Sequence, residues 1–220
     1  MKITFQDIRT NVVIKTYIKK ADDALAALGY TEHSFAHVLR VSEVAAEILS
    51  TLGYTEHEID LVRIAGYMHD IGNLVNRVDH SQSGALMAFR LLNELHMDAE
   101  DISDIVSTIG NHDEGTGVPI SAMAAALILA DKSDVRKSRV RNTKRDSFDI
   151  HDRVNYSVES SRLSIDDAKQ NITLTLTIDT SVGSVMDYFE IFLERMILCR
   201  KAADKLGLYF RLNINGQHLI

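Results

Sequence analysis

The sequence predicts a mostly α-helical protein that ends in a small α+β unit. Over the first two-thirds of the 220 residues, apolar side chains recur at helical spacing in segments closed by glycine. The chain has one proline, Pro119, and many Ala, Leu, Ile and Glu residues, a composition that favours helices. After about residue 150 the pattern turns to alternation, clearest in Ile172-Thr173-Leu174-Thr175-Leu176-Thr177-Ile178.

The elements come in order. Residues 5–28 carry Ile8, Val12, Val13, Tyr17, Ile18, Leu25 and Leu28 at helical spacing and stop at Gly29. A second helix over 32–52 stops at Gly53, and a third over 56–70 opens on a capping box of Thr55 and Glu58. Further helices are expected near 80–96, 99–111 and 120–138. The pentapeptide Gly29-Tyr30-Thr31-Glu32-His33 recurs as Gly53-Tyr54-Thr55-Glu56-His57. With no similarity beyond it, the repeat reads as one joint used twice, glycine closing a helix and threonine capping the next. Strands are expected over 157–165 and 170–179 with a turn at 166–171, then a helix over 184–206. A third strand over 208–214 precedes the turn Asn215-Gly216. The boundary falls between residues 1–146, the helical part, and 147–220, about three strands and one long helix packed on it.

Composition limits the function. A net charge of −7 argues against a general nucleic-acid binder. No apolar run reaches the roughly 18 residues of a membrane span, and residues 1–7 lack the apolar core of a secretory signal. The single cysteine, Cys199, lies in an apolar stretch, fits a reducing cytoplasm and reads as buried packing. Between residues 132 and 145, Lys132, Arg136, Lys137, Arg139, Arg141, Lys144 and Arg145 face only Asp134. Such a run is an ordinary solvated surface or, in an acidic protein, a local anion site suited to a phosphorylated ligand.

The chemistry-bearing residues are histidines and aspartates at helix ends. His69-Asp70 ends the apolar helix over 56–70, and Gly72 stands where a helix C-terminus tolerates a left-handed residue. His37 lies among Val38, Val41 and Val44, with His33 and Arg40 on nearby faces. His80 precedes a helix start, His112 comes after a helix, and Asp131 ends the apolar run 122–130. A carboxylate there is costly to bury unless paired or metal-bound. Neutral imidazoles and carboxylates together suit a divalent ion such as Mn, Fe or Zn. His151-Asp152 repeats the dipeptide with no helix leading in and reads as a loop lining the cleft.

His37-Val38-Leu39-Arg40-Val41, His69-Asp70-Ile71-Gly72 and Ala130-Asp131-Lys132 come in the order and spacing of the HD-domain metal-dependent phosphohydrolases, which residues 20–140 resemble. His80 in Asp79-His80-Ser81-Gln82-Ser83-Gly84-Ala85 and His112 after Asn111 resemble the two added histidines of the dinuclear members. The resemblance implies an HD helical bundle with Asp70 bridging two divalent ions. His37, His69 and Asp131 would lie on one, His80 and His112 on the other. Fe or Mn comes first as the metal, with Mg, Co, Ni and Zn also compatible. Two ions about 3.5–4 Å apart acidify a bridging water, and the hydroxide attacks phosphorus. Asp70 and Lys132 are then the expected catalytic residues. Arg136, Arg139, His33 and Arg40 are expected to bind a phosphorylated small molecule, a nucleotide being the leading candidate.

Gly115-Thr116-Gly117-Val118-Pro119 is similar to the GYP element of cyclic-di-GMP phosphodiesterases, but Asn111 replaces the first of a His pair and Val118 the tyrosine. His112, the short glycine-containing loop and Ala130-Asp131-Lys132 also resemble the symmetrical diadenosine tetraphosphate hydrolases. Two other readings stay open: a di-iron oxygenase, and a non-catalytic metal-stabilised sensor or binding module. A cytoplasmic location is expected, and homodimerisation is compatible with the sequence.

Overall fold

The computed structural model describes residues 3–220, with the backbone alone for Arg145. The segment expected as one helix over 5–28 is two, α1 (Phe5–Thr10) and α2 (Val12–Ala27). Asn11 divides them: its N–H closes α1 on Ile8, and its Oδ1 accepts from Val13 and Ile14 at 2.9 and 3.1 Å. An asparagine side chain that competes with the helix backbone favours a cap over a helix interior. The next helices are α3 (Phe35–Leu52), α4 (Glu56–Met68), α5 (His80–Glu94), α6 (Ala99–Gly110) and α7 (Ala122–Ser133). Residues 123–130 of α7 are all buried, and the helix packs against α3, α4 and α6.

A 3-10 turn over Ile71–Leu74 joins α4 to α5. Gly72 is not left-handed, contrary to the expectation for it; the left-handed glycines are Gly29, Gly53, Gly207 and Gly216. A Cβ at residue 72 would instead collide with the carbonyl oxygen of His80 and the amide of Gly84. Glycine is needed there so that the turn can press against the start of α5, where His80 begins the helix.

Residues 147–220 depart from expectation in two places. His151 and Asp152 lie not in a loop but in the first turn of α8 (Ile150–Ser157), whose N-cap Asp149 accepts from the Asp152 amide at 2.7 Å. The helix is too short to show an apolar period in the sequence. The sheet has four strands in the order β1-β2-β3-β4, not three. They are β1 (Val158–Ile165), β2 (Asn171–Ile178), β3 (Tyr209–Ile214) and the two-residue β4 (Gln217–His218). β1 and β2 form a hairpin, β2 and β3 run parallel around α9 (Val185–Lys205), and Asn215-Gly216, both at positive φ, turn β3 into β4.

Ile172, Leu174, Leu176 and Ile178 of β2 alternate inward beside Phe210, Leu212 and Ile214 of β3. α9 packs on both β3 and α7, so one apolar core runs from Phe5 to Ile214 across residue 146. Cys199 is buried in it, and that burial pushes its thiol up to about 12. Among the described residues no helix is long and apolar enough to cross a membrane.

Candidate metal centre

Five helices bring six side chains to one point. His37 comes from the first turns of α3, and His69 caps α4 with Asp70 just beyond it. His80 opens α5, His112 comes just after α6, and Asp131 lies in the last turn of α7. His37, His69, His80 and His112 are each 0–2% exposed and Asp70 is 5% exposed. Among the described residues the ligand atoms group as His37/His69/Asp70, His69/His112/Asp131 and Asp70/His80/His112.

The four imidazoles are oriented alike. Each Nδ1 meets an acceptor facing away from the centre. For His37 it is Asp134 Oδ2 at 2.8 Å, and for His69 the Gly66 carbonyl at 2.8 Å. For His80 it is the Arg77 carbonyl at 3.1 Å, and for His112 the Ile109 carbonyl at 2.7 Å. An Nδ1–H donated outward leaves the Nε2 lone pair facing inward, the tautomer a metal-binding histidine needs.

Asp70 has inward nitrogens on both sides, and the His69/His112/Asp131 grouping links those two sides. Asp70 Oδ2 lies 3.5 Å from His37 Nε2 and 3.2 Å from His69 Nε2. Asp131 Oδ1 lies 3.3 and 3.6 Å from the same two nitrogens. On the other side, Asp70 Oδ1 is 3.5 Å from His80 Nε2, which is 3.2 Å from His112 Nε2. Donors about 2.1 Å from one ion and about 90–109° apart stand about 3.0–3.4 Å from each other. The observed separations, 3.2–3.6 Å, lie at and slightly beyond the upper end of that spacing. Among the described residues His37 Nε2, His69 Nε2 and Asp70 Oδ2 are buried with no hydrogen-bond partner, which in a protein interior calls for a ligand. The residues present therefore fit a divalent metal.

By themselves, the carboxylates of the centre draw positive charge onto the nearest imidazole, the place a cation would take. Burial alone would keep His69 neutral, but the Asp70 and Asp131 carboxylates override it and push the ring up to about 10. Burial likewise opposes ionisation of Asp70 and Asp131. The neighbouring His69 for Asp70, and Lys132 for Asp131, hold both well below the usual carboxylate range. His112 is held well below the usual imidazole range, first by burial and then by the charge of His69. His80 is lowered by burial, against the pull of Asp70. The centre is an acidic pocket on one side and a neutral nitrogen pair on the other.

A cavity of about 410 Å³ opens over Asp70, His80 and Asp131. Lys132, Arg139 and His33, expected at the site, line it, as do His151 and Asp152. Lys132 Nζ is fixed between Asp131 Oδ2 and Glu114 Oε2, both at 2.6 Å. Arg139 gives its Nε to the Glu32 carbonyl and its Nη1 to the Asp134 carbonyl.

Arg40 and Arg136, expected to bind substrate, do not line the cavity. Arg40 Nε pairs with Asp134 at 3.0 Å and its Nη2 reaches the Ser161 carbonyl of β1. Arg136 pairs with Asp134 at 3.0 Å and Glu32 at 3.1 Å. Within the basic run, Lys132, Arg136, Arg139 and Arg141 are thus paired with the protein's own carboxylates. Asp134, the one acid facing the run in the sequence, takes Arg136 and Arg139, is buried and also orients His37. Burial works against its ionisation; His37, Arg139 and Arg136 outweigh it and keep the carboxyl well below its ordinary value.

Four residues that reading the sequence missed complete the site. Asp134 holds His37. Asn73 donates to Asp70 Oδ1 at 2.9 Å. Glu114 joins Lys132 to Arg195 of α9, whose Nε lies 2.7 Å from Glu114 Oε1. Arg77 stands beside His80. Asp70, Asn73, Arg77 and His80 succeed one another at spacings of three, four and three, a signal that could have found two of them.

Residues 34–136 match the family model described as HD domain, an interval holding all six ligand candidates. An uncharacterized protein of Methanocaldococcus jannaschii is 24% identical over 191 residues, covering 76% of this chain and 73% of that protein. The crystal structure of a predicted HD superfamily hydrolase from an uncultured Thermotogales bacterium is 25% identical. It covers 56% of this chain and 67% of its own, with a TM-score of 0.45.

Proposed function

We propose that the protein, whose residues 34–136 match the HD-domain family model, is a metal-dependent phosphohydrolase that cleaves a phosphoester, a nucleotide being the leading class, and uses two divalent ions. One observation carries the reading: the two oxygens of Asp70 face different histidine sets, each presenting inward Nε2 atoms. His37, His69 and Asp131 would hold one ion and His80 and His112 the other, with Asp70 common to both. Two such ions, when bound, supply Lewis acidity at a phosphoryl group and acidify a water.

The chain's own residues do the rest. Asn73 and Asp134 keep Asp70 and His37 in position through 2.9 and 2.8 Å hydrogen bonds. Burial works to discharge Lys132, but Asp131 and Glu114 raise its affinity for the proton, so it stays an ammonium and serves as a fixed positive charge. Arg139 adds a second such charge at the cavity wall. A cavity of about 410 Å³ lies at the small end of the roughly 300–1,000 Å³ of small-molecule sites, a fit for one compact phosphorylated metabolite.

The test is metal analysis of the purified protein, then turnover of phosphomonoesters, phosphodiesters and dinucleotides with Mn, Fe, Mg and Co. Two ions per chain and phosphate release abolished by Asp70→Ala are expected. No release across the panel with both sites filled overturns the hydrolase reading. Oxygen uptake by the iron-loaded protein in its place identifies the oxygenase.

A further inference from the structure

Four Lys and Arg side chains line the cavity: Arg77, Lys132, Arg139 and Arg195. Three are committed to the protein. Lys132 lies between two carboxylates at 2.6 Å, and Arg195 pairs with Glu114 at 2.7 Å. Arg139 donates to two backbone carbonyls at 2.9 and 2.7 Å. Arg77 differs. Among the described residues it makes no ion pair. Its Nη1 has two uncharged neighbours at the long end of hydrogen bonding, Asn73 Oδ1 at 3.4 Å and His80 Nε2 at 3.3 Å. A guanidinium carries five donors, and a half-buried one with two weak contacts keeps most of its capacity for an anion.

Its position makes that capacity specific. His80 Nε2, which Arg77 approaches, is itself 3.2 Å from His112 Nε2 and 3.5 Å from Asp70 Oδ1. The guanidinium therefore borders the histidine-rich side of the centre, where Asp70 Oδ1 at 3.5 Å and Asp113 Oδ1 at 3.9 Å are the carboxylate neighbours of His80 Nε2 among the described residues, and neither pairs with Arg77. Asn73 ties it to that side, donating to Asp70 Oδ1 while accepting from Arg77. The ring of Tyr30, another wall residue, lies with its centroid 5.8 Å from the Arg77 guanidinium carbon.

We propose that Arg77 is the phosphate-binding residue of this cavity, holding non-bridging oxygens of a phosphate group seated against the His80–His112 side. The inference rests on the hydrolase reading for its substrate but not for its test. Guanidinium–phosphate contacts are charge-assisted and two-pronged, and Lys at the same place supplies charge without the fork.

Calorimetry of inorganic phosphate binding to the Mn-loaded protein decides it, with wild type, Arg77→Ala, Arg77→Lys and the exposed control Arg200→Ala. Arg77→Ala is expected to weaken phosphate binding by about tenfold or more, and Arg77→Lys to recover part of the loss. Metal content and melting temperature should stay at wild-type values. Arg200→Ala should bind as wild type does. Phosphate affinity of Arg77→Ala within about twofold of wild type overturns the proposal, as does loss of bound Mn from both Arg77 variants. Failure of wild type to bind phosphate at millimolar concentration overturns it too. Absence of turnover with phosphate binding and its Arg77 dependence intact counts against the hydrolase alone.

Discussion

Residues 29–33 and 53–57 spell the same pentapeptide, Gly-Tyr-Thr-Glu-His, at the two ends of α3. Both copies open identically. Gly29 and Gly53 are left-handed at φ 83° and 88°. Their amides bond to Ala26 and Ser50 at 3.1 Å, and Tyr30 and Tyr54 reach back to Leu25 and Leu49 at 3.0 and 3.1 Å. The copies then part. Thr55 caps α4 and Glu56 begins it, as a threonine after a helix-closing glycine predicts. Thr31 does not cap α3, so the helix expected from residue 32 starts at Phe35 with Ser34 as its cap.

The difference lies in distant partners. The Glu32 amide donates to the Arg139 carbonyl at 2.8 Å, its carboxylate takes Arg136 and Ser34, and the His33 amide donates to Asp22. These contacts keep residues 31–34 out of the helix, and His33 lines the cavity with its ring 5.4 Å from that of His37. His57 instead pairs with Asp101 of α6 at 2.7 Å, partly exposed. Identical local codes close a helix identically. The path of the chain beyond the closure is set by arginines more than a hundred residues away in sequence.

The contrast breaks most sharply at the glutamates. Glu32→Ala is expected to destabilise by about 1–3 kcal/mol, below a fully buried pair because both partners retain some solvent. Glu56→Ala, at an exposed position with no ion pair among the described residues, should stay within about 0.5 kcal/mol in urea denaturation. Burial would raise the Glu32 carboxyl, but the Ser34 hydrogen bond and Arg136 outweigh it and hold it below its ordinary value. A depressed carboxylate stabilises above its unfolded value, about 4.3, and that stability drains as pH falls through the folded one. The gap between wild type and Glu32→Ala should therefore close in acid; a gap that widens there removes the ion pair as its cause.

The glycines test the shared half. Neither would bring a Cβ within 4 Å of a neighbour, so Gly29→Ala and Gly53→Ala should each cost about 1–2 kcal/mol through backbone conformation alone. Unequal melting shifts would show that the two helix ends are not equivalent. Thr55→Ala should cost about 1 kcal/mol and Thr31→Ala almost nothing, with Ser34→Ala carrying the capping cost in the first copy. The histidines separate stability from binding. His57→Ala should lose about 0.5 kcal/mol with phosphate affinity unchanged. His33→Ala should leave the melting temperature near wild type and weaken phosphate binding; the reverse pattern would erase the functional distinction between the copies.

Much of this protein is legible without coordinates because its signals are local. Helices α3 to α7 and strands β1 to β3 announce themselves through period, cap and glycine. Asn11, α8 and β4 do not: one is a single side chain set against a run of helix formers, and the others are shorter than one clear period. The six ligand candidates stand out as polar residues at the ends of apolar helices. Asp134 reads in the sequence as a minor exception in a basic run, yet Arg40, Arg136, Arg139 and His37 all converge on it. Nothing in the order of residues tells which of several arginines a buried carboxylate will collect.

The sequence by itself determined the helical class, the ligand types and their order, because periodicity, capping and the chemistry of imidazole and carboxylate need no partner to be read. The tertiary structure decided the rest. It turned each Nδ1 outward and each Nε2 inward, set nitrogens on both sides of Asp70, paired Arg136 and Arg139 with Asp134 and left Arg77 at the cavity wall with no ion pair among the described residues. Those outcomes depend on electrostatic pairing over a few ångströms between residues far apart in the chain, and only the packing of five helices brings them within that range.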